Sequence, residues 1–91
     1  MRYEEKVPNG KLVCFSVEVK NNKVSDVKLT GDFFLHPEDT IEALESSLIG
    51  LPIETSESEI TLKIQETLKG SQLIGATAED LARIFRKTVL Q

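Results

Sequence analysis

The chain has no tryptophan, one tyrosine, one histidine and one cysteine among its 91 residues. A single cysteine, Cys14, excludes an internal disulfide. It is in keeping with a reducing, cytoplasmic setting. One Cys and one His cannot complete a tetrahedral cage of soft ligands, so no metal site is expected. A nucleophile would need Cys14 and His36, which fall in the middle of a strand pattern and at a helix start. They read as a small buried apolar residue and a helix-entry residue. Glycine is scarce, Gly31 is isolated, and no phosphate-cradling loop has the required spacing. Lys and Arg form no cluster, the net charge is −4 and aromatics are 5% of the chain, so no nucleic-acid footprint is present. No apolar run approaches the roughly 20 residues that cross a bilayer. The opening "MRYEEKVPNG" lacks the apolar segment of a signal peptide. No catalytic, cofactor-binding or metal-ligating residue is therefore expected, and no nucleic acid or membrane as partner.

What is present fits one domain over residues 1–91. A chain this short buries only roughly 60–65% of the surface its unfolded form exposes, so help from a partner chain is expected. Pro8, Asn9 and Gly10 punctuate the start and mark residues 1–9 as a short charged arm. "LVCFSVEVK", 12–20, alternates: Val13, Phe15, Val17 and Val19 share one face, and Leu12, Cys14, Ser16, Glu18 and Lys20 the other. Period 2 with β-branched residues predicts a half-buried strand. A second strand follows over 24–30, after Asn-Asn-Lys.

Register is constrained by burial. A simple two-residue loop at Asn21-Asn22 would set Val17 against Asp26 and Phe15 against Lys28. A shift by one residue sets Val17 against Val27 and Phe15 against Leu29. Because a one-residue slip reverses every side chain, burial selects the second register. It requires a three-residue loop or a bulge near Ser25 and leaves Val24 out of phase.

Helices come next. Pro37, Glu38 and Asp39 precede Ile41, Leu44 and Leu48, with Gly50 and Pro52 as stops. The carboxylates at 38, 39, 42 and 45 read as a solvated helix face. Ser56-x-x-Glu59 opens a second helix with Ile60, Ile64 and Leu68 inside. A short strand, "ITLKI", competes for the same residues, and the caps favour the helix. Thr77-x-x-Asp80 caps a third helix with Leu81, Ile84, Phe85 and Thr88 inward. The predicted fold class is α+β: a small antiparallel sheet, a hairpin plus a third strand, with about three helices on one face.

The junction "GDFF", Gly31 to Phe34, stands out. Neighbouring residues of an extended chain point to opposite sides, so Phe33 and Phe34 cannot enter one core layer unless the chain bends. Phe33 is in phase with Val27 and Leu29 and belongs to the core. Phe34 either lies exposed beside Leu12 and Cys14 as a docking patch or folds under the first helix as a staple. Gly31 permits a special backbone angle, and Asp32 offers a turn cap. Gly31, Asp32, Phe33, Phe34, Leu12 and Cys14 are the candidate partner-contact residues.

In the run "FSVEVKNNKVSDVKLTGDFF" with "EALESSLIGLPI" and the late "LIGATAEDLARIF", the sequence resembles the C-terminal accessory domain of lipoate–protein ligases. The likeness runs from about Gly10 to Phe85 and is most specific at Gly31-Asp32-Phe33-Phe34. Nothing here corresponds to that family's large domain, with its nucleotide- and lipoate-binding motifs and catalytic lysine. Beginning at Met1, the chain is expected to be complete and similar to the small subunit of the split, two-chain ligases. The resemblance implies a heterodimer with a catalytic subunit and a non-catalytic role in activating lipoate with ATP to lipoyl-adenylate. ATP, magnesium and lipoate are then expected on the catalytic partner. The layout also resembles iron–sulfur scaffold and sulfur-acceptor proteins. Those carry a reactive cysteine after the second or third strand, where this chain reads "LTGDFFLHPED". A scaffold or carrier role, or a general protein-interaction role, is the alternative.

Overall fold

The structure, a computed structural model, describes residues 1–8 and 10–91. Asn9, the middle of the Pro8–Gly10 punctuation, lies outside the described residues. Three strands, β1 (Arg2–Lys6), β2 (Leu12–Lys20) and β3 (Lys23–Gly31), form an antiparallel sheet in the order β1-β2-β3. β4 (Phe34–His36) follows, then α1 (Thr40–Leu48), α2 (Glu57–Thr67), β5 (Gln72–Ile74) and α3 (Ala78–Val89). β4 and β5 pair as a separate antiparallel ribbon. The fold is the expected small α+β class, with the helices on one face of the sheet. α1 packs on β3, α3 on β1 and β2, and α2 on the other two helices.

The β2–β3 register is the one burial selects, with Val17 opposite Val27 and Phe15 opposite Leu29. Two devices reconcile it with a tight turn. Asn21 and Asn22 both hold positive φ, 54° and 63°, as a two-residue hairpin loop requires. The ladder then shifts between Glu18 and Val19, so that Ser25 is the extra residue of a bulge. The added residue restores the phase of Val24, which is buried with Val27 and Leu29 rather than left out.

Residues 2–6 are not a loose arm but an edge strand, with Tyr3 opposite Phe15 and Glu5 opposite Val13. Opposed residues share a face, so Glu5 points toward the helices. Its Oε2 accepts from Arg83 Nη2 at 2.9 Å and Nε at 3.1 Å, and its Oε1 from Lys87 Nζ at 2.9 Å and the Tyr3 hydroxyl at 2.8 Å. Arg83 also reaches Asp80 at 2.9 Å. The Lys87 ammonium first, then Tyr3 and Arg83, hold the Glu5 carboxyl down from 4.5 to about 2 against the opposing effect of burial. A carboxyl whose folded value is depressed contributes stability that is complete above the unfolded value and lost as the pH falls toward the folded one. Urea unfolding at pH 7 and pH 3 therefore shows wild type losing stability between about pH 4.5 and 2, a component missing from Glu5→Gln. Equal losses in both proteins refute the assignment.

The expected order, strands then helices, is corrected at β4 and β5. Each is three residues long, too short to show a period, and β5 falls between two helices. The segment 56–67 is the helix its caps favour: the Ser56 hydroxyl accepts from Glu59 N at 3.2 Å. Thr77 and Asp80 form the full reciprocal box, with bonds of 3.0 and 3.1 Å. Arg86 ties the 52–55 connection to α3 by donating to the carbonyls of Ile53 and Thr55 at 3.1 and 2.7 Å. The core takes Val13, Phe15, Val17, Val27 and Leu29 from the sheet. Leu44, Leu48, Ile60, Ile64, Leu81, Ile84 and Phe85 close it from the helices.

Candidate functional site

The surface of interest is built where β3 ends. At Gly31 an added Cβ would run into the Leu12 carbonyl oxygen and lie 2.9 Å from two atoms of the Phe33 ring. That carbonyl also accepts the Asp32 amide at 2.9 Å. Glycine is thus required by close approach: β2, the corner and the Phe33 ring meet where a side chain would stand. Phe33 is buried as its phase demands. The chain then turns into β4, and Leu35 goes inward opposite Leu73 while Phe34 goes outward opposite Ile74.

Phe34 is 58% exposed and Ile74 47%. Of the two readings of Phe34, the staple under the first helix is not what forms. Nor does Phe34 share an apolar patch with Cys14, which is buried in the middle of β2 with its thiol 4.0 Å from the Phe15 carbonyl oxygen. Leu12 is half-buried. Asp32 is exposed, and no side-chain cap from it forms among the described residues. The six candidates divide accordingly. Gly31, Asp32 and Leu12 meet through their backbones, Phe33 and Cys14 lie inside, and Phe34 alone is a free apolar side chain.

Phe34 opens onto a groove of about 450 Å³ between β3 and α1. Lys28, Leu29 and Thr30 form one wall, and Glu38, Ile41, Glu42 and Glu45 the other. Glu45 is not simply a solvated carboxylate, because its Oε2 accepts the backbone N–H of Leu29 at 2.7 Å. Sequence reasoning missed this, although Glu45 directly follows the buried Leu44. It also missed Ile74, whose one signal is a short apolar pair, Leu73-Ile74, after the Gly70 stop.

Among the described residues no three His, Cys, Asp or Glu side chains are placed to hold a metal ion. Among the described residues no helix is long and apolar enough to cross a membrane.

These features define a small two-layer α+β domain that presents an open groove and an apolar pair beside a sheet edge. Comparison with known proteins specifies it further. The model of the bacterial lipoate protein ligase C-terminus matches residues 1–85, and the chain belongs to that family. It is similar to the lipoate-protein ligase A subunit 2 of Thermoplasma acidophilum, 40% identical over 43 residues. That alignment covers 47% of this chain and 46% of the relative, so it spans about half of the curated protein it matches. Its fold matches a chain solved in a structural analysis of an archaeal lipoylation system, a bi-partite lipoate protein ligase and its E2 lipoyl domain from Thermoplasma acidophilum. The TM-score is 0.71 at 27% identity, covering 98% of this chain and 94% of that one.

Proposed function

We propose that this chain is the non-catalytic subunit of a two-chain lipoate–protein ligase. It binds the catalytic subunit as a heterodimer and enables ATP-dependent activation of lipoate to lipoyl-adenylate for protein lipoylation. The observation that carries this reading is the family match over residues 1–85. The similar fold of a chain from a bi-partite ligase supports it.

In this reading ATP, magnesium and lipoate bind to the catalytic partner, and both chains work in the cytoplasm. The contribution of the small chain is conformational. Docked near the partner's active site, it orders a mobile loop there and lowers the entropic cost of a reactive arrangement. The iron–sulfur alternative would need Cys14 to act as a thiolate, and its burial in β2 favours a packing role instead.

The test is an assay of lipoyl-adenylate formation by the catalytic chain co-purified from the source cell, with and without this chain. The expected result is a large gain in rate on adding it. Equal rates overturn the proposal.

A further inference from the structure

β1 is held to the domain differently from the other strands of its sheet. None of its five residues is buried. β2 buries Val13, Cys14, Phe15 and Val17, and β3 buries Val24, Val27 and Leu29. β1 lies at the edge of the sheet, and of the other elements only β2 and α3 touch it. Its inward side chains are Tyr3 and Glu5, and Tyr3 is only partly buried against the core. The rest of its hold on α3 is ionic. Arg83 and Lys87 both close on Glu5, and Asp80 fixes Arg83 from its own helix. The Lys87 ammonium also stands 5.8 Å from the centroid of the Tyr3 ring. Salt screens such part-exposed charges but does not loosen apolar burial.

The strand has a fixed foot. Val7, which follows it, is buried, and its N–H donates to the Lys11 carbonyl at 2.8 Å. The amides of β2 report on its two neighbours separately, because they alternate in direction. The Val17 N–H donates to the Met1 carbonyl at 2.8 Å, so Val13, Phe15 and Val17 bond toward β1. The Asp32 amide on the Leu12 carbonyl sets the other phase, so Cys14 and Ser16 bond toward β3. Departure of β1 frees the first set and leaves the second bonded.

We propose that β1 is a strand held by an ionic clasp, swinging out of the sheet about Val7 while the rest of the domain stays folded. Ionic strength sets how often it opens. The open state presents the β2 edge from Val13 to Val17 and uncovers the flank of Phe15 beside Tyr3. This is a property of the chain alone and does not depend on the ligase reading.

Native-state hydrogen exchange on the full chain tests it, with each amide expressed as protection relative to its unfolded rate. Wild type, Glu5→Gln and Glu4→Gln are compared at about 0.1 and 1 M sodium chloride, between which the Debye length falls from about 10 to 3 Å. Glu4 is the control: an exposed carboxylate of the same strand, paired only with Arg2 at 3.3 Å. Urea unfolding checks that both variants are folded. In wild type, Val13 and Phe15 are expected to be less protected than Cys14 and Ser16. Their exchange responds little to urea below the unfolding transition, while that of Cys14 and Ser16 follows the global slope. High salt speeds Val13 and Phe15 several-fold. Glu5→Gln speeds them about tenfold or more, the worth of one charge-assisted hydrogen bond, and Glu4→Gln does not. If Val13 and Phe15 share the protection and urea slope of Cys14 and Ser16, β1 leaves only with the whole domain and the proposal is overturned. It is equally overturned if Glu5→Gln leaves their exchange unchanged, or if Glu4→Gln speeds it as much.

Discussion

Replacing Phe85 with alanine is expected to remove about 3–5 kcal/mol of stability, enough to leave much of the chain unfolded. Phe85 is fully buried on α3, and its ring meets that of Phe15 edge-on, with centroids 5.3 Å apart and planes at 73°. This pair joins the middle strand of the sheet to the last helix. A small sheet with helices on one face has few such joints, so a cavity here opens the centre of the two-layer contact. Edge-to-face geometry adds about 0.5–1.5 kcal/mol to the area that the rings bury. Urea unfolding checks the result: the midpoint falls sharply while the slope stays that of wild type. A loss below about 1 kcal/mol would be incompatible with a closed core around these rings.

A second large effect is expected from Gly31→Ala. The added methyl meets the Leu12 carbonyl oxygen and the Phe33 ring together, one of them backbone already committed to the Asp32 amide. Relief requires β2 and the corner to move apart, which costs about 1–3 kcal/mol or more. Gly50→Ala is the control. Gly50 also has positive φ, 92°, but an added Cβ there meets nothing within 4 Å. The prediction is that Gly31→Ala melts well below Gly50→Ala. Similar melting temperatures would mean that backbone angle alone, not crowding, requires glycine at the corner.

Much of this fold is legible in local pattern. Alternation from Leu12 to Lys20 shows both faces of β2. Charge placement at Asp26 and Lys28 rules out the wrong register, and Thr77 with Asp80 marks the start of α3. Elements whose partners lie far along the chain are harder to read. "RYEEK" looks like a solvated arm because its inward residue, Glu5, is charged, and its partners Arg83 and Lys87 come 78 and 82 residues later. β4 and β5 give no period, since each becomes a strand only by meeting the other. The candidate surface follows the same division. Phe33 could be assigned from phase, whereas the crowding against Leu12 that requires Gly31 could not. The outward turn of Phe34, its neighbour Ile74 and the bond from the Leu29 amide to Glu45 depend on tertiary contact and left no local trace.

The meeting of β1 with α3 also constrains how the chain is made. Synthesis delivers β1 well before α3, the helix that covers its inner face and neutralises Glu5, since Arg83 follows Glu5 by 78 residues. Until then the sheet lacks a lid over Val13 and Phe15, and no N-terminal fragment can reach the finished state. Folding of this domain is therefore expected to close in one late, cooperative step, once α3 has been made.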